Sequence, residues 1–255
     1  MRLHINIDHV ATLRNARGTP YPDPIEAARV CLDAGAHGIT AHLREDRRHI
    51  RDEDVERLRA TLRATFNLEC AATDEMIGIA VATRPDVVTL VPERREERTT
   101  EGGLDVVGQR ESLAKHIAAL QEAEIKVSLF IAPDPAQVEA SRALGVEQIE
   151  LHTGEYAHAF GFGRPSSHDL TRPLPDVAEG EYARLAAAAK QAHELGLEVA
   201  AGHGLTTRNV GALVRIPEIV ELNIGHAVIA DAVFMSLAGA VKAMLAAIER
   251  GRPTP

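Results

Sequence analysis

The 255-residue chain contains no tryptophan, and aromatic residues make up only 3% of it. Recognition that depends on stacking against bases or on aromatic cages is therefore not expected. No stretch approaches about 18 consecutive uncharged apolar residues, so the sequence predicts no membrane-spanning helix. The first residues enter a strand pattern at once, without the apolar segment typical of a signal peptide.

Basic residues are outnumbered by acidic ones, with 28 Lys and Arg against 37 Asp and Glu and a net charge of −9. An acidic chain without a basic arm argues against nucleic acid and against anionic membranes as partners. The net negative charge does not exclude small anionic substrates, because a local arginine cluster can oppose the overall charge. Cysteine is scarce too: Cys31 and Cys70 both lie in apolar patterns, which predicts buried, reduced thiols in a cytoplasmic protein.

Short strand patterns alternate with amphipathic helical patterns along the whole chain, and Gly35, Gly145 and Gly196 follow predicted helices. The predicted strands are Leu3–Ile7, Gly38–His42, Asn67–Ala71, Val87–Val91, Lys126–Ile131, Gln148–Leu151, Glu198–Ala201 and Val220–Ile224. Eight strand–helix units in about 250 residues favour one closed parallel (β/α)₈ barrel of the TIM type, spanning residues 1–255 as a single domain. An open sheet would be expected to carry a glycine-rich nucleotide loop after its first strand, and none follows Ile7.

Two segments have a distinctive composition. Residues 157–180 are rich in glycine, proline and serine, which predicts a long loop after the sixth strand, either an active-site flap or a surface insertion. Residues 227–249 are rich in alanine and predict one long terminal helix.

Polar residues recur at every second position late in several predicted strands, whereas strands buried on both faces normally read as continuous Val, Ile and Leu. The alternating pairs are Asn6 and Asp8, Thr40 and His42, Asn67 and Glu69, Glu150 and His152, and Glu221 and Asn223. Because the apolar face should pack on the helices, the polar face should point into the barrel. Buried carboxylates and imidazoles are costly unless paired or used, so these groups form either a structural network or an active site at the carboxyl rim.

The rim is also predicted to bind anions. The run from His42 to His49 combines two histidines with three arginines, and arginine offers phosphate a fixed fork of donors. Gly202-His203-Gly204 and Gly225-His226 end the seventh and eighth strands, the usual phosphate site of this fold. With Arg17 and Arg44, these segments suggest two anion sites, and hence two phosphorylated substrates or one bisphosphate.

Metal and lysine chemistry are disfavoured by the motifs. The chain has neither an H-E-x-x-H pair nor a cysteine cluster, and Asp8 and His9 are adjacent, so on a strand they would point to opposite faces. Lys126 opens the fifth strand at the end away from the rim, and the other lysines lie on predicted helices, which argues against a Schiff base. Acid–base catalysis by histidine and glutamate, without a metal or cofactor, is the remaining expectation.

Five segments together resemble the pyridoxine 5′-phosphate synthase family, in order and over nearly the whole chain. They are NIDHVATLRNARG (6–18), HLREDRRHI (42–50), TTEGGLDV (99–106), AGHGL (201–205) and ELNIGHA (221–227). The resemblance implies a barrel with extra helices, assembled as an octamer built from dimers. It also implies condensation of 1-deoxy-D-xylulose 5-phosphate with 3-amino-1-hydroxyacetone 1-phosphate, giving pyridoxine 5′-phosphate, inorganic phosphate and water.

The same resemblance assigns site residues. It implies that His42 and Glu69 are proton acceptors, that His203 is a proton donor and that Glu150 stabilises cationic intermediates. The implied deoxyxylulose-phosphate contacts are Asp8, His9, Arg44, His49 and Thr99. The implied contacts to the amino-ketone phosphate are Asn6, Arg17, Gly204, Gly225 and His226.

Two other functions fit the rim chemistry. A phosphosugar isomerase or epimerase would use Glu69 as its base but would need only one phosphate site. A non-enzymatic sensor of a phosphorylated ligand would have no use for Glu69, His42 and His203 together.

Overall fold

A computed structural model describes residues 1–97, 99, 102–160 and 176–252. Eight parallel strands close into a barrel in chain order, with β8 hydrogen-bonded to β1. The strands are β1 (Arg2–Asn6), β2 (Gly38–His42), β3 (Thr65–Cys70), β4 (Val87–Leu90), β5 (Lys126–Ile131), β6 (Gln148–His152), β7 (Glu198–Gly202) and β8 (Ile219–Ile224). The predicted (β/α)₈ barrel is confirmed.

Helices connect the strands and cover the outside of the barrel. The described helices are α1 (Asp8–Arg17), α2 (Pro24–Asp33), α3 (Asp52–Thr61), α4 (Asp74–Thr83), α5 (Arg110–Glu122), α6 (Pro135–Ala143), α7 (Gly154–Ala159), α8 (Asp176–Glu194), α9 (Val210–Leu213), α10 (His226–Met235) and α11 (Leu237–Gly251). In the part of the chain that the structure describes, no helix is both long and apolar enough to cross a membrane. Cys31 and Cys70 are buried and unpaired, as predicted.

Local sequence explains where several helices begin. The side chains of Asp23, Thr73 and Asp134 each accept a backbone N–H of the helix that follows. Such N-caps satisfy donors that have no partner inside the helix. Pro24 and Pro135 occupy the first helical position, where the missing N–H of proline costs nothing.

Three predictions about local structure are wrong. The first strand ends at Asn6 and α1 begins at Asp8, so Asp8 and His9 lie on a helix instead of alternating along a strand. The predicted helix 227–249 is interrupted at Ser236, whose φ is 71° and whose hydroxyl accepts the Gly239 N–H as the cap of α11. The predicted loop 157–180 overlaps α7 and α8 at its two ends, and residues 161–175 lie outside the described residues.

The polar strand residues do point into the barrel, where they form layers. Near the amino-terminal end, Glu221 accepts hydrogen bonds from Arg2 at 2.9 Å and from Gln148 at 3.2 Å. In the middle, the Thr40 hydroxyl donates to Asn223 Oδ1 at 2.8 Å, and the Thr89 hydroxyl donates to Asn67 Oδ1 at 2.9 Å. The lower layers thus form a structural network, as one of the two sequence interpretations expected, although Ser128 Oγ, Gln148 Oε1 and both ring nitrogens of His4 are buried without a hydrogen-bond partner. The top layer, with Asn223 below it, opens to a cavity.

Candidate active site

A cavity of about 620 Å³ opens at the carboxyl ends of the strands, above the polar layers. Cavities of this size accommodate small organic ligands. Its lining includes most of the residues that the sequence singled out: Asn6, Asp8, His9, His42, Glu69, Glu150, His203, Gly204, Gly225 and His226. Segments far apart in the chain therefore converge on one enclosure.

Four predicted site residues lie outside this lining. His49 packs edge-on against His42, with 5.8 Å between ring centroids, so it borders the cavity. Arg44 is largely buried beside Asp46 and Glu93, at 3.5 Å from each. The Thr99 amide donates to the Gly103 carbonyl at 2.8 Å, and Arg17 is exposed at the end of α1.

Asp8 ties together the ends of β1 and β2. Its Oδ1 accepts the backbone N–H of His42 at 2.8 Å, and its Oδ2 accepts the Asn6 side-chain amide at 2.9 Å. The Asn6 carbonyl oxygen in turn accepts the Asp8 backbone N–H at 2.9 Å. Asp8 also stands in the first turn of α1, where a carboxylate is favoured by the helix dipole. These bonds fix the position from which His42 projects.

Glu69 is the carboxyl group at the top of β3. Its Oε2 lies 3.4 Å from the donating amide of Asn6 and 3.9 Å from Nδ1 of His42. Burial, followed by the charges of Glu150 and Asp8, raises the pKa of Glu69 well above its usual range, despite the opposing bond from Asn6. A carboxyl group with a raised pKa can exchange protons near neutral pH.

Glu150 lies on β6, and residues of β7 and β8 shape the space that its carboxylate occupies. Its Oε2 accepts the Asn223 amide at 2.7 Å. A Cβ at Gly202 would lie 2.1 Å from Oε1 of Glu150, so only glycine at that position leaves room for the carboxylate. Burial, with the nearby charge of Glu221, raises the pKa of Glu150 to about 8.

Imidazoles also line the cavity. His203 has a φ of 83°, in the left-handed region that non-glycine residues seldom adopt, and its ring lies 4.8 Å from that of His152. The rings of His9 and His226 are 5.1 Å apart. Burial lowers the pKa values of His203 and His9, and burial with the charge of His203 lowers that of His152 to about 4. Burial therefore favours the neutral form of these three imidazoles, which can both donate and accept protons.

Comparisons with known proteins identify the family of this chain. The family model of the pyridoxal phosphate biosynthesis protein PdxJ matches residues 3–250. The chain belongs to the PdxJ family. Curated relatives named pyridoxine 5′-phosphate synthase include one from Xanthobacter autotrophicus, 56% identical over 99% of this chain and 94% of its own length. Another, from Photobacterium profundum, is 52% identical over 95% of this chain and 94% of its own length.

Solved structures of lower similarity share the fold of this PdxJ family member. Phosphoribosyl anthranilate isomerase from Thermus thermophilus superposes with a TM-score of 0.58 at 15% identity, covering 98% of both chains. Thiamine phosphate pyrophosphorylase from Pyrococcus furiosus gives a TM-score of 0.58 at 14% identity, covering 98% of this chain and 96% of its own. At these identities, the likeness concerns the barrel alone.

Glu93 and His152 are cavity-region groups to which the sequence assigned no role. Glu93 follows the end of β4, and its Oε1 lies 3.0 Å from Nε2 of His42. It stands in the charged run PERREER (92–98), which resembles a solvated loop and so gives no sign of burial. His152 could be placed on the inward face of β6 by alternation, but its contact with His203 could not.

Arg14 lies one turn before Arg17 on α1. In the structure it is buried and forms a two-point ion pair with Asp54, at 2.6 and 2.8 Å. Its Nη2 also donates to the backbone carbonyl of His49 at 3.0 Å. Arg14 is therefore a structural cation that joins α1 to α3 and steadies the segment that carries His49.

Asp8, His42 and His49 are the described residues whose grouping could suit a cation, with potential ligand atoms within 4.8 Å of one another. Asp8 can join this group because it lies at the start of α1 and not on a strand. However, Nδ1 of His49 accepts the Ile50 N–H at 3.0 Å, so the neutral ring carries its proton on Nε2. That nitrogen is then a donor, suited to an anion rather than to a metal.

Proposed function

We propose that this protein is a pyridoxine 5′-phosphate synthase that condenses 1-deoxy-D-xylulose 5-phosphate with 3-amino-1-hydroxyacetone 1-phosphate. The products are pyridoxine 5′-phosphate, inorganic phosphate and water. The observation that carries the proposal is one cavity holding two carboxyl groups with raised pKa values, Glu69 and Glu150, among buried imidazoles. Membership of the PdxJ family supports the same reaction.

The reaction is a series of proton transfers and eliminations that such groups can perform. The amine of one substrate attacks the ketone of the other, and the hydroxyl leaves as water after accepting a proton. Loss of a C–H proton then expels phosphate, and attack of an enol carbon on the remaining carbonyl closes the ring. Further loss of water makes the ring aromatic, so that each turnover releases one phosphate and a net two waters. We assign proton acceptance to His42 and Glu69, proton donation to His203, and stabilisation of cationic intermediates to Glu150.

Two regions of the rim are suited to the two phosphates. One lies beside β2, where Arg44 and His49 stand next to the Asp8–His42 contact. The other is formed by Gly204, Gly225 and His226, where α10 begins. A helix N-terminus presents free N–H groups and a positive dipole end to an anion. We assign the deoxyxylulose phosphate to the first region, with Asp8, His9 and Thr99, and the amino-ketone phosphate to the second, with Asn6 and Arg17.

Incubation of the purified protein with both substrates, followed by detection of pyridoxine 5′-phosphate and of phosphate, tests the function. Omission of either substrate is the control. Formation of a new sugar phosphate from one substrate alone would favour an isomerase or epimerase instead.

The two arginines give a prediction that separates the anion sites. Arg44→Ala should weaken binding of the deoxyxylulose phosphate, and Arg17→Ala that of the amino-ketone phosphate. Each loses a charge-assisted contact worth about 1.5–3 kcal/mol. Calorimetric titration with each substrate measures this, with Arg59→Ala as a control because Arg59 lies in the last turn of α3 and pairs with exposed Asp86. If both variants lose affinity for the same substrate only, the assignment is wrong.

We further propose that the protein is a cytoplasmic homo-oligomer, an octamer built from dimers. Free, buried Cys31 and Cys70 suit a reducing compartment. Val233, Phe234 and Met235 at the end of α10 are exposed by 73%, 89% and 48%. A cluster of exposed apolar side chains is typical of a protein–protein interface.

Phe234→Glu should shift the protein toward smaller assemblies, because it places a charge in an interface centred on this side chain. Light scattering coupled to size-exclusion chromatography measures the mass. Val81→Glu, on α4 away from the cluster, is the matched control and should leave the mass unchanged. An unaltered mass for Phe234→Glu would place the interface elsewhere.

A further inference from the structure

Glu93 is a buried carboxylate whose partners are all potential hydrogen-bond donors. Its side chain is 4% exposed, and its Oε1 lies 3.0 Å from Nε2 of His42. Its Oε2 accepts the backbone N–H of Glu45 at 3.2 Å and faces Nη2 of Arg44 at 3.5 Å. The Glu93 backbone is itself held, because its N–H donates to Oε2 of Glu97 at 2.8 Å.

The charge on Glu93 follows from this setting. Burial alone would raise its pKa, but the hydrogen bonds from His42 and from the Glu45 N–H, together with the charge of Arg44, outweigh burial and lower it. The side chain is therefore a carboxylate at neutral pH, and an ionised carboxylate can only accept hydrogen bonds. The ring nitrogen of His42 that faces it must then carry a proton.

We propose that Glu93 is a positioning residue that holds His42 as the Nε2–H tautomer, so that the lone pair of Nδ1 faces Glu69. The catalytic consequence rests on the proposed function, in which His42 and Glu69 exchange protons with the substrates. Nδ1 lies 3.9 Å from Oε2 of Glu69, the nearer oxygen of that carboxyl group. Orientation of a catalytic imidazole by a carboxylate on its other nitrogen is a general device in acid–base sites.

The ring is thus fixed from two directions. Asp8 holds the backbone of His42 through its N–H at 2.8 Å, and Glu93 holds the far nitrogen of the ring. Rotation of the ring away from Glu69 would break the bond to Glu93 and leave a buried carboxylate with one donor fewer, which is unfavourable. Glu93 also faces Arg44, so the same carboxylate places the ring of His42 beside a cation assigned to substrate phosphate.

Glu93→Gln should change which ring nitrogen of His42 carries the proton. The Glu45 N–H and the Arg44 guanidinium can only donate, so the amide oxygen of glutamine should turn toward them. The amide NH₂ group then faces Nε2 of His42, which must accept. The substitution should therefore invert the ring to the Nδ1–H tautomer and remove the lone pair that faces Glu69.

Long-range ¹H–¹⁵N correlation NMR of histidine-labelled protein at pH 8 reads the tautomer directly, with His42→Gln used to assign the signal. The matched control is Glu45→Gln, whose side chain pairs with exposed Arg94. Steady-state kinetics on the same samples complete the test. We expect Glu93→Gln to lower kcat by roughly 10²–10³-fold, with KM for both substrates changed much less, because the ring is misoriented while the substrate contacts remain.

The expected result is an Nε2–H ring in the wild type and in Glu45→Gln, and an Nδ1–H ring with low kcat in Glu93→Gln. An unchanged tautomer in Glu93→Gln, or a kcat equal to that of the wild type, overturns the proposal. If that variant does not fold, the wild-type spectrum decides: a proton on Nδ1 alone, or on both nitrogens, is incompatible with it. A wild type that forms no pyridoxine 5′-phosphate refutes the proposed function but leaves the tautomer reading valid.

Discussion

Glu69→Gln is expected to lower turnover by roughly 10²–10⁴-fold, the usual contribution of one acid–base group. The side chain projects from β3 into the cavity, where burial and the charges of Glu150 and Asp8 raise its pKa. Glutamine keeps the volume and can still contact Asn6, but it cannot take a proton. Substrate binding and folding should therefore change little.

Single-turnover kinetics measure the loss of turnover, and calorimetric titration of the same sample measures substrate binding. The base must lose its proton to act, so wild-type activity should fall as the pH drops below the raised pKa of Glu69, and the residual activity of the variant should lack that dependence. Glu198→Gln, which alters a carboxylate at the opposite end of the barrel, should keep its turnover. Near-normal turnover of Glu69→Gln would remove this carboxylate from the mechanism, and an unfolded variant would favour a purely structural role.

Asp54→Ala is expected to lower the free energy of unfolding by about 3–5 kcal/mol, because it leaves the Arg14 guanidinium buried and unpaired. Both side chains of the pair are nearly inaccessible, at 6% and 3% exposure. Asp54 also accepts the Arg51 N–H at 2.9 Å at the start of α3, so the helix loses a cap as well. His49 should become less firmly held, since Arg14 donates to its carbonyl.

Urea denaturation measures the change. Glu26→Ala is the control, because its ion pair with Arg29 is solvent-exposed and such pairs contribute at most about 1 kcal/mol. A loss below about 1 kcal/mol for Asp54→Ala would mean that water or a shifted side chain compensates the Arg14 charge.

The barrel could be predicted from the sequence because alternation along each strand and the strand–helix repeat are local signals. The inward positions of Thr40, Glu69, Glu150 and Asn223 followed from the same alternation. The start of α1 at Asp8 did not, since an aspartate after Ile7 suits both an alternating strand and the first turn of a helix. The break at Ser236 depends on one hydroxyl that caps α11, which an alanine-rich pattern does not reveal.

Contacts between residues far apart in the chain are the part of the site that the sequence could not predict. The pairing of Arg14 with Asp54 spans 40 residues, and that of His42 with Glu93 spans 51. No spacing rule connects such positions, because the closed barrel brings them together. Resemblance to a family supplied roles for His42 and Glu150, but it gave none to Glu93, whose place follows only from the loop after β4.

We propose that the histidines and glutamates of this cavity close the pyridoxine ring without a metal or cofactor. The most direct measurement is product formation by protein dialysed against a chelator and assayed with both substrates in metal-free buffer. We expect unchanged formation of pyridoxine 5′-phosphate, with phosphate released in equal amount. Loss of activity that a divalent metal restores would contradict it.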